Sequence, residues 1–161
     1  MGGSIFTEAH KPEAAFGQYE EARSIYQSLS DTGRVAGCSE KLGEIATLAG
    51  NLQSAEDNYH QALAVVEPLK AIKPPRVDAL YTAADAYSGL GDLKLKQIGT
   101  SAEPTSWRKA RSEACSWYSK SAAAWHQIEH PNRNTPNGFD AGDPAVVTKK
   151  LQQCQMVVSH N

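Results

Sequence analysis

An all-α fold built from stacked antiparallel helix hairpins is predicted by three features of the sequence. Small and aromatic residues recur at fixed spacings, long segments keep one helical face apolar, and stretches dense in Gly, Pro, Asn and Asp separate them. The recurrence is specific. Gly17, Ala22, Tyr26 and Leu29 have the spacing of Gly50, Ala55, Tyr59 and Ala62, at an offset of 33. A third copy is split: Leu80, Ala83, Ala84, Tyr87 and Gly91 match Ser39, Leu42, Gly43, Ala46 and Gly50 at an offset of 41, while Ala114, Tyr118 and Ser121 match Ala55, Tyr59 and Ala62. Small residues let paired helices approach closely, and the tyrosines fill the space beside them.

Each element follows in order. Residues 5–33 form a partial first repeat, complete only in its second half because "FTEAHKPEAAF" contains a Pro in a weak pattern. Residues 34–70 form the second repeat, with Gly50 as the left-handed turn residue and Pro68 closing it. Pro74 and Pro75 start the next helix, where missing amide donors cost little. The third repeat spans 75–130 and carries an insertion at 92–109. Val77, Leu80, Ala84, Tyr87, Gly91, Leu95 and Ile98 continue one apolar face into that insertion. Trp107, Ala110, Ala114, Trp117 or Tyr118, Ser121 and Trp125 continue one on the returning side. The expectation is an over-long hairpin with Thr105 or Ser106 as N-cap and "GTSAEPT" as its turn. "EHPNRNTPNGFDAGDP" reads as loop, and Asp143 followed by Pro144 caps a last helix, 143–158, whose Val147, Leu151 and Cys154 cover the open end of the stack.

These residues resemble the tetratricopeptide repeat, whose pattern runs from an aromatic through Leu-Gly, Tyr and a turn Gly to Ala, an aromatic, Ala and Pro. The resemblance covers about residues 5 to 128 and implies a right-handed superhelix of antiparallel hairpins. The succession "ACSWYSKSAAAW", a Gly/Asp loop and "DPAVVTKKLQQC" also looks like the repeat region of multidomain bacterial serine/threonine kinases. The chain itself has none of those kinases' glycine-rich loop, catalytic Asp loop or metal-binding Asp-Phe-Gly, so the resemblance implies a regulatory or sensing region and not the kinase.

Composition narrows the function classes. A formal charge of −2 gives no global attraction to nucleic acid or anionic membrane. No stretch reaches the roughly 18 apolar residues of a membrane span, and the opening residues lack a signal peptide's apolar core. Three widely spaced cysteines, Cys38, Cys115 and Cys154, predict a reducing, cytoplasmic setting, or a periplasmic one if the chain belongs to a membrane-anchored parent, with Cys115 and Cys154 as small core residues. No phosphate loop, Ser-His-Asp order, Cys-x-x-Cys pair or zincin motif is present, so neither an enzyme nor a cofactor is expected. His126 and His130 stand four apart at a helix end but need a third ligand from Asp140, Asp143 or His160, and a solvated helix terminus is the expectation. Trp107, Trp117 and Trp125 read as core, with Trp107 the most exposed. Lys94, Lys96, Arg108, Lys109 and Arg111 gather at the hairpin tip, where Glu103 and Glu113 offset them and a solvated tip is expected.

In the tetratricopeptide family the first helix of each repeat lines a concave wall. On that face the sequence places Gly37, Glu40, Glu44 and Thr47, then Asp78, Tyr81, Asp85 and Ser88. Repeats that clasp the carboxylate tails of heat-shock chaperones carry Lys, Arg and Asn there, which this chain does not. An acidic wall with a tyrosine suits a basic or amphipathic partner segment, with Tyr81 as anchor. A sensor of small ligands would instead enclose a pocket near Tyr81 and Tyr87, and an incomplete first repeat could leave an N-terminal edge that pairs two copies.

Overall fold

The computed structural model describes residues 12–99, 103–132 and 134–158, without the side chains of 157 and 158. Residues 5–11 of the expected first repeat and His160 lie outside the described residues. Among the described residues six helices follow one another: α1 (Pro12–Ser28), α2 (Thr32–Leu48), α3 (Leu52–Lys70), α4 (Val77–Ile98), α5 (Pro104–His126) and α6 (Pro144–Val158). Each packs on its neighbour in sequence, and α2 also packs on α4. The first helices of two successive hairpins thus share one wall.

Local chemistry sets the boundaries. Asp31 caps α2, its carboxylate accepting from the Arg34 amide at 3.1 Å, and Asn51 caps α3 by accepting from the Ser54 amide at 3.3 Å. Gly50, at φ 81°, ends α2 in the left-handed conformation, which turns the chain directly into α3. Four sequence expectations shift. Pro74 and Pro75 precede α4, which starts at Val77 with Arg76 as its N-cap. Gly17 lies within α1 and is no turn residue, Pro68 sits inside α3 two residues before its end, and the N-cap of α5 is Glu103, with Pro104 at the first helical position. Proline at that position lacks only an amide that would have no helical partner, so the helix starts earlier than Thr105.

Aromatic rings packed against glycine backbone explain the recurring residues. A Cβ on Gly43 would meet Tyr59 Cδ1 at 2.7 Å, Gly89 faces the same ring, and Gly91 gives Tyr118 the equivalent space with its would-be Cβ 2.6 Å from Cε1. Tyr59 and Tyr118 are both buried. One core cluster joins α2, α3 and α4 through Ala36, Tyr59, Val66, Ala83 and Leu90. A second joins α4, α5 and α6 through Leu80, Tyr81, Tyr118, Trp125 and Val147, and includes Ala141 from the loop before α6. Of the three tryptophans, Trp125 is buried, while Trp107 and Trp117 are partly so.

The long hairpin is present as helix. In repeat register α4 would stop at Gly89, the counterpart of Leu48, yet it continues to Ile98; α5 starts at Pro104 where the counterpart of Leu52 is Arg111. The extension leans on α3: Gln97 donates to Glu56 at 2.8 Å, and Lys94 lies between Glu56 (3.9 Å) and Glu113 (3.6 Å). Asp143 caps α6, accepting from the Ala145 amide at 2.9 Å. The expectation for two cysteines is overturned. Cys115 of α5 and Cys154 of α6 form a disulfide, with Cα atoms 5.9 Å apart, and only Cys38 is a free, buried thiol. Thirty-nine residues separate the pair in sequence, and packing of α6 on α5 brings them together.

Candidate functional site

The wall formed by α2 and α4 carries all eight residues that the sequence placed on the concave face, but part of that wall is covered by the chain itself. Residues 132 and 134–142, between α5 and α6, form a strap across it. The strap folds back on itself, with Gly138 donating to the Thr135 carbonyl at 3.0 Å and Asn134 bridged to Asp140. Its returning limb, residues 139–142, runs along α2 toward that helix's C-terminus.

Three kinds of contact hold this limb. Phe139 lies flat on α2, where a Cβ on Gly37 would be 2.6 Å from Cε2, and its ring centroid is 6.4 Å from that of Tyr19 on α1. Ala141 is buried against the second core cluster. The main chain is gripped on both sides: Lys41 donates its ammonium to the Asp140 carbonyl at 2.7 Å, and the Gly142 amide donates to both carboxylate oxygens of Asp85 at 3.1 Å. At the start of the strap, the Asn132 amide donates to the Tyr81 hydroxyl at 2.8 Å.

The expected site residues therefore divide. Glu40, Asp78 and Tyr81 are buried, not on an open surface. Asp78 is committed to Arg76, 2.6 Å away over Gly33, and Tyr81 sits edge-on to Trp125 at 5.6 Å. Asp85 holds the strap. Glu44 is exposed and stands beside the strap, paired with Lys41 at 2.8 Å, while Thr47 and Ser88 are partly exposed and follow Glu44 and Asp85 by three residues, about one helical turn. Thr47 donates its hydroxyl to the Gly43 carbonyl of its own helix at 2.8 Å. The residues that sequence reasoning missed are Lys41 and Phe139. Both carried a signal: Lys41 stands in sequence between the wall carboxylates Glu40 and Glu44, and Phe139 is the one large apolar residue in a polar loop.

Electrostatics concentrate at Lys41. Its ammonium is 2.8 Å from Glu44 and 3.7 Å from Glu40. Burial opposes its charge, but Glu40 and Glu44 outweigh burial and hold it protonated well above the usual lysine range. Burial, reinforced by Glu44, pushes Glu40 well above the carboxylate range. Asp85 is pushed up to about 7, by burial first and Glu44 further, against the opposing pull of Lys41 and the Gly142 amide.

Elsewhere, Tyr87 does not share a pocket with Tyr81. It lies toward α3 and α5, stacked on Trp117 at 5.9 Å and bonded through its hydroxyl to Glu67 and Lys70. A cavity of about 230 Å³ opens at the foot of α5, lined by Trp125, His126, Pro131, Pro144 and Thr148 among others. Among the described residues no three His, Cys, Asp or Glu side chains gather closely enough to hold a metal ion, and no helix is long and apolar enough to cross a membrane. No protein-family model matches the chain, and none of the curated proteins matches its sequence.

Proposed function

We propose that the chain is a non-catalytic interaction module, a tetratricopeptide-like stack that holds an extended segment of a partner protein on the α2/α4 wall. The observation that carries this reading is the strap. Lys41 and Asp85 grip a peptide main chain from both sides, carbonyl and amide, which is how a wall of side chains holds an extended segment. Glu44, half-exposed on the outer side of its pair with Lys41, supplies the acidic portion for a basic partner, and Thr47 and Ser88 continue the wall beyond it.

Peptide display on the Phe139→Ala chain, whose strap has lost its aromatic anchor, tests the reading against the combined Glu40→Lys, Glu44→Lys and Asp85→Lys variant at low and physiological salt. Peptides enriched on the first and lost on the second, with weaker binding at higher salt, support it. A library with no enrichment on either chain, while both keep their helical circular dichroism, overturns it.

The Cys115–Cys154 disulfide favours a second reading, the sensing region of a bacterial serine/threonine kinase outside the cytosol, since such bonds persist in oxidising compartments. Thiol labelling in intact cells decides between compartments: labelled Cys115 and Cys154 place the chain in a reducing one and remove this support.

A further inference from the structure

Resting on the interaction reading, we infer that the wall selects a partner segment of defined pattern: an aromatic residue, any residue, a small residue and glycine, followed directly by basic residues. Each position comes from a contact. The aromatic position is the seat of Phe139 on the bare backbone of Gly37, closed on its far side by Tyr19. The next residue, Asp140, is exposed and contributes its carbonyl to Lys41, so its side chain is unselected. The third is Ala141, 4% exposed among Leu80, Tyr81 and Trp125, where a larger side chain has no room. The fourth is Gly142, where a Cβ would stand 2.7 Å from Asp85 Oδ1, the group its amide must reach.

Beyond that point the chain's own segment departs. Asp143 and Pro144 turn away into α6, so the strap leaves Thr47 and Ser88 farther along the track, and it reaches Glu44 only through Lys41, which pairs with that half-exposed carboxylate at 2.8 Å. A partner that keeps to the track meets an exposed carboxylate there, and a Lys or Arg matches it. The strap therefore satisfies four positions of the pattern and lacks the last, which gives an intermolecular partner a contact that the resting chain does not make.

The test uses a synthetic peptide with the sequence of residues 137–142 followed by two arginines, and fluorescence anisotropy against the Phe139→Ala chain. Gly142→Val serves as a second opened variant, because it loosens the strap without touching the aromatic seat. Expected is binding at least about tenfold tighter than for peptides with Phe replaced by Ala or with both arginines replaced by Glu, and loss of the arginine preference in Glu44→Lys. Equal binding of the three peptides, or retention of the arginine preference in Glu44→Lys, overturns the pattern. If none of the three binds, the display experiment separates two failures: enrichment of segments with other chemistry refutes only this pattern, and absence of any enrichment refutes the interaction reading as well.

Discussion

At Gly37 two preferences oppose each other. Alanine would favour the helix by about 0.5–1 kcal/mol, but its Cβ would stand 2.6 Å from the Phe139 ring. Gly37→Ala is therefore expected to destabilise the wild-type chain by about 1 kcal/mol through overpacking and to stabilise the Phe139→Ala chain; urea midpoints of the two single variants and the double variant measure this change of sign. The same scale governs pH. With Asp85 at about 7 against an ordinary 3.8, the folded chain keeps a proton that the unfolded chain has released, so this contribution to stability is full below about pH 4 and is lost as pH rises through about 7. Glu40 acts in the same direction, and the shift of Lys41 falls outside this window because its usual value is already 10.5. Asp85→Asn, which can still accept from Gly142, is expected to flatten the fall in urea midpoint between about pH 5 and pH 7.5.

At the scale of elements, the disulfide adds to the packing that holds α6 and, through it, the end of the strap. Closing a loop across a separation of 39 residues removes chain entropy equivalent to roughly 4 kcal/mol. Reduction, or Cys154→Ser, is expected to lower stability by up to about that amount and to speed hydrogen exchange at α6 and at Gly142 before α2 and α3 respond. The helices themselves were largely legible. Fixed spacing of Gly, Ala and Tyr marks α2, α3 and both arms of the long hairpin, because a ring seated on a glycine backbone leaves a sequence trace at each copy. Asp143–Pro144 marked α6 for an equally local reason. Gly17 and Pro68 misled because a single Gly or Pro costs a helix only a few kcal/mol at most, which packing on α2 and α4 outweighs. The disulfide and the strap were not legible. Cys115 and Cys154 meet only once α6 docks, and whether a wall carboxylate such as Glu40 or Asp78 is open depends on where a polar loop more than 50 residues away comes to rest.

Across the whole molecule stability is uneven. α4 buries residues on both of its faces, linking the two core clusters, whereas Ala15 is the one fully buried residue of α1, which is otherwise tied inward by Arg23 donating to Ser39 at 3.2 Å and Asn58 at 3.1 Å. Amides of α1 are expected to exchange with solvent at least about a hundredfold faster than those of α4, which native-state hydrogen exchange would resolve residue by residue. The strap also has a consequence in time. If the wall binds a partner as proposed, a segment covalently attached beside its own seat competes for it, and an incoming partner would have to wait for the opening. The observed association rate should then level off at high partner concentration, at the frequency with which Phe139 leaves Gly37. Phe139→Ala is expected to lift that ceiling in stopped-flow traces while leaving the partner's dissociation rate unchanged. The loop would act as a clock for encounters.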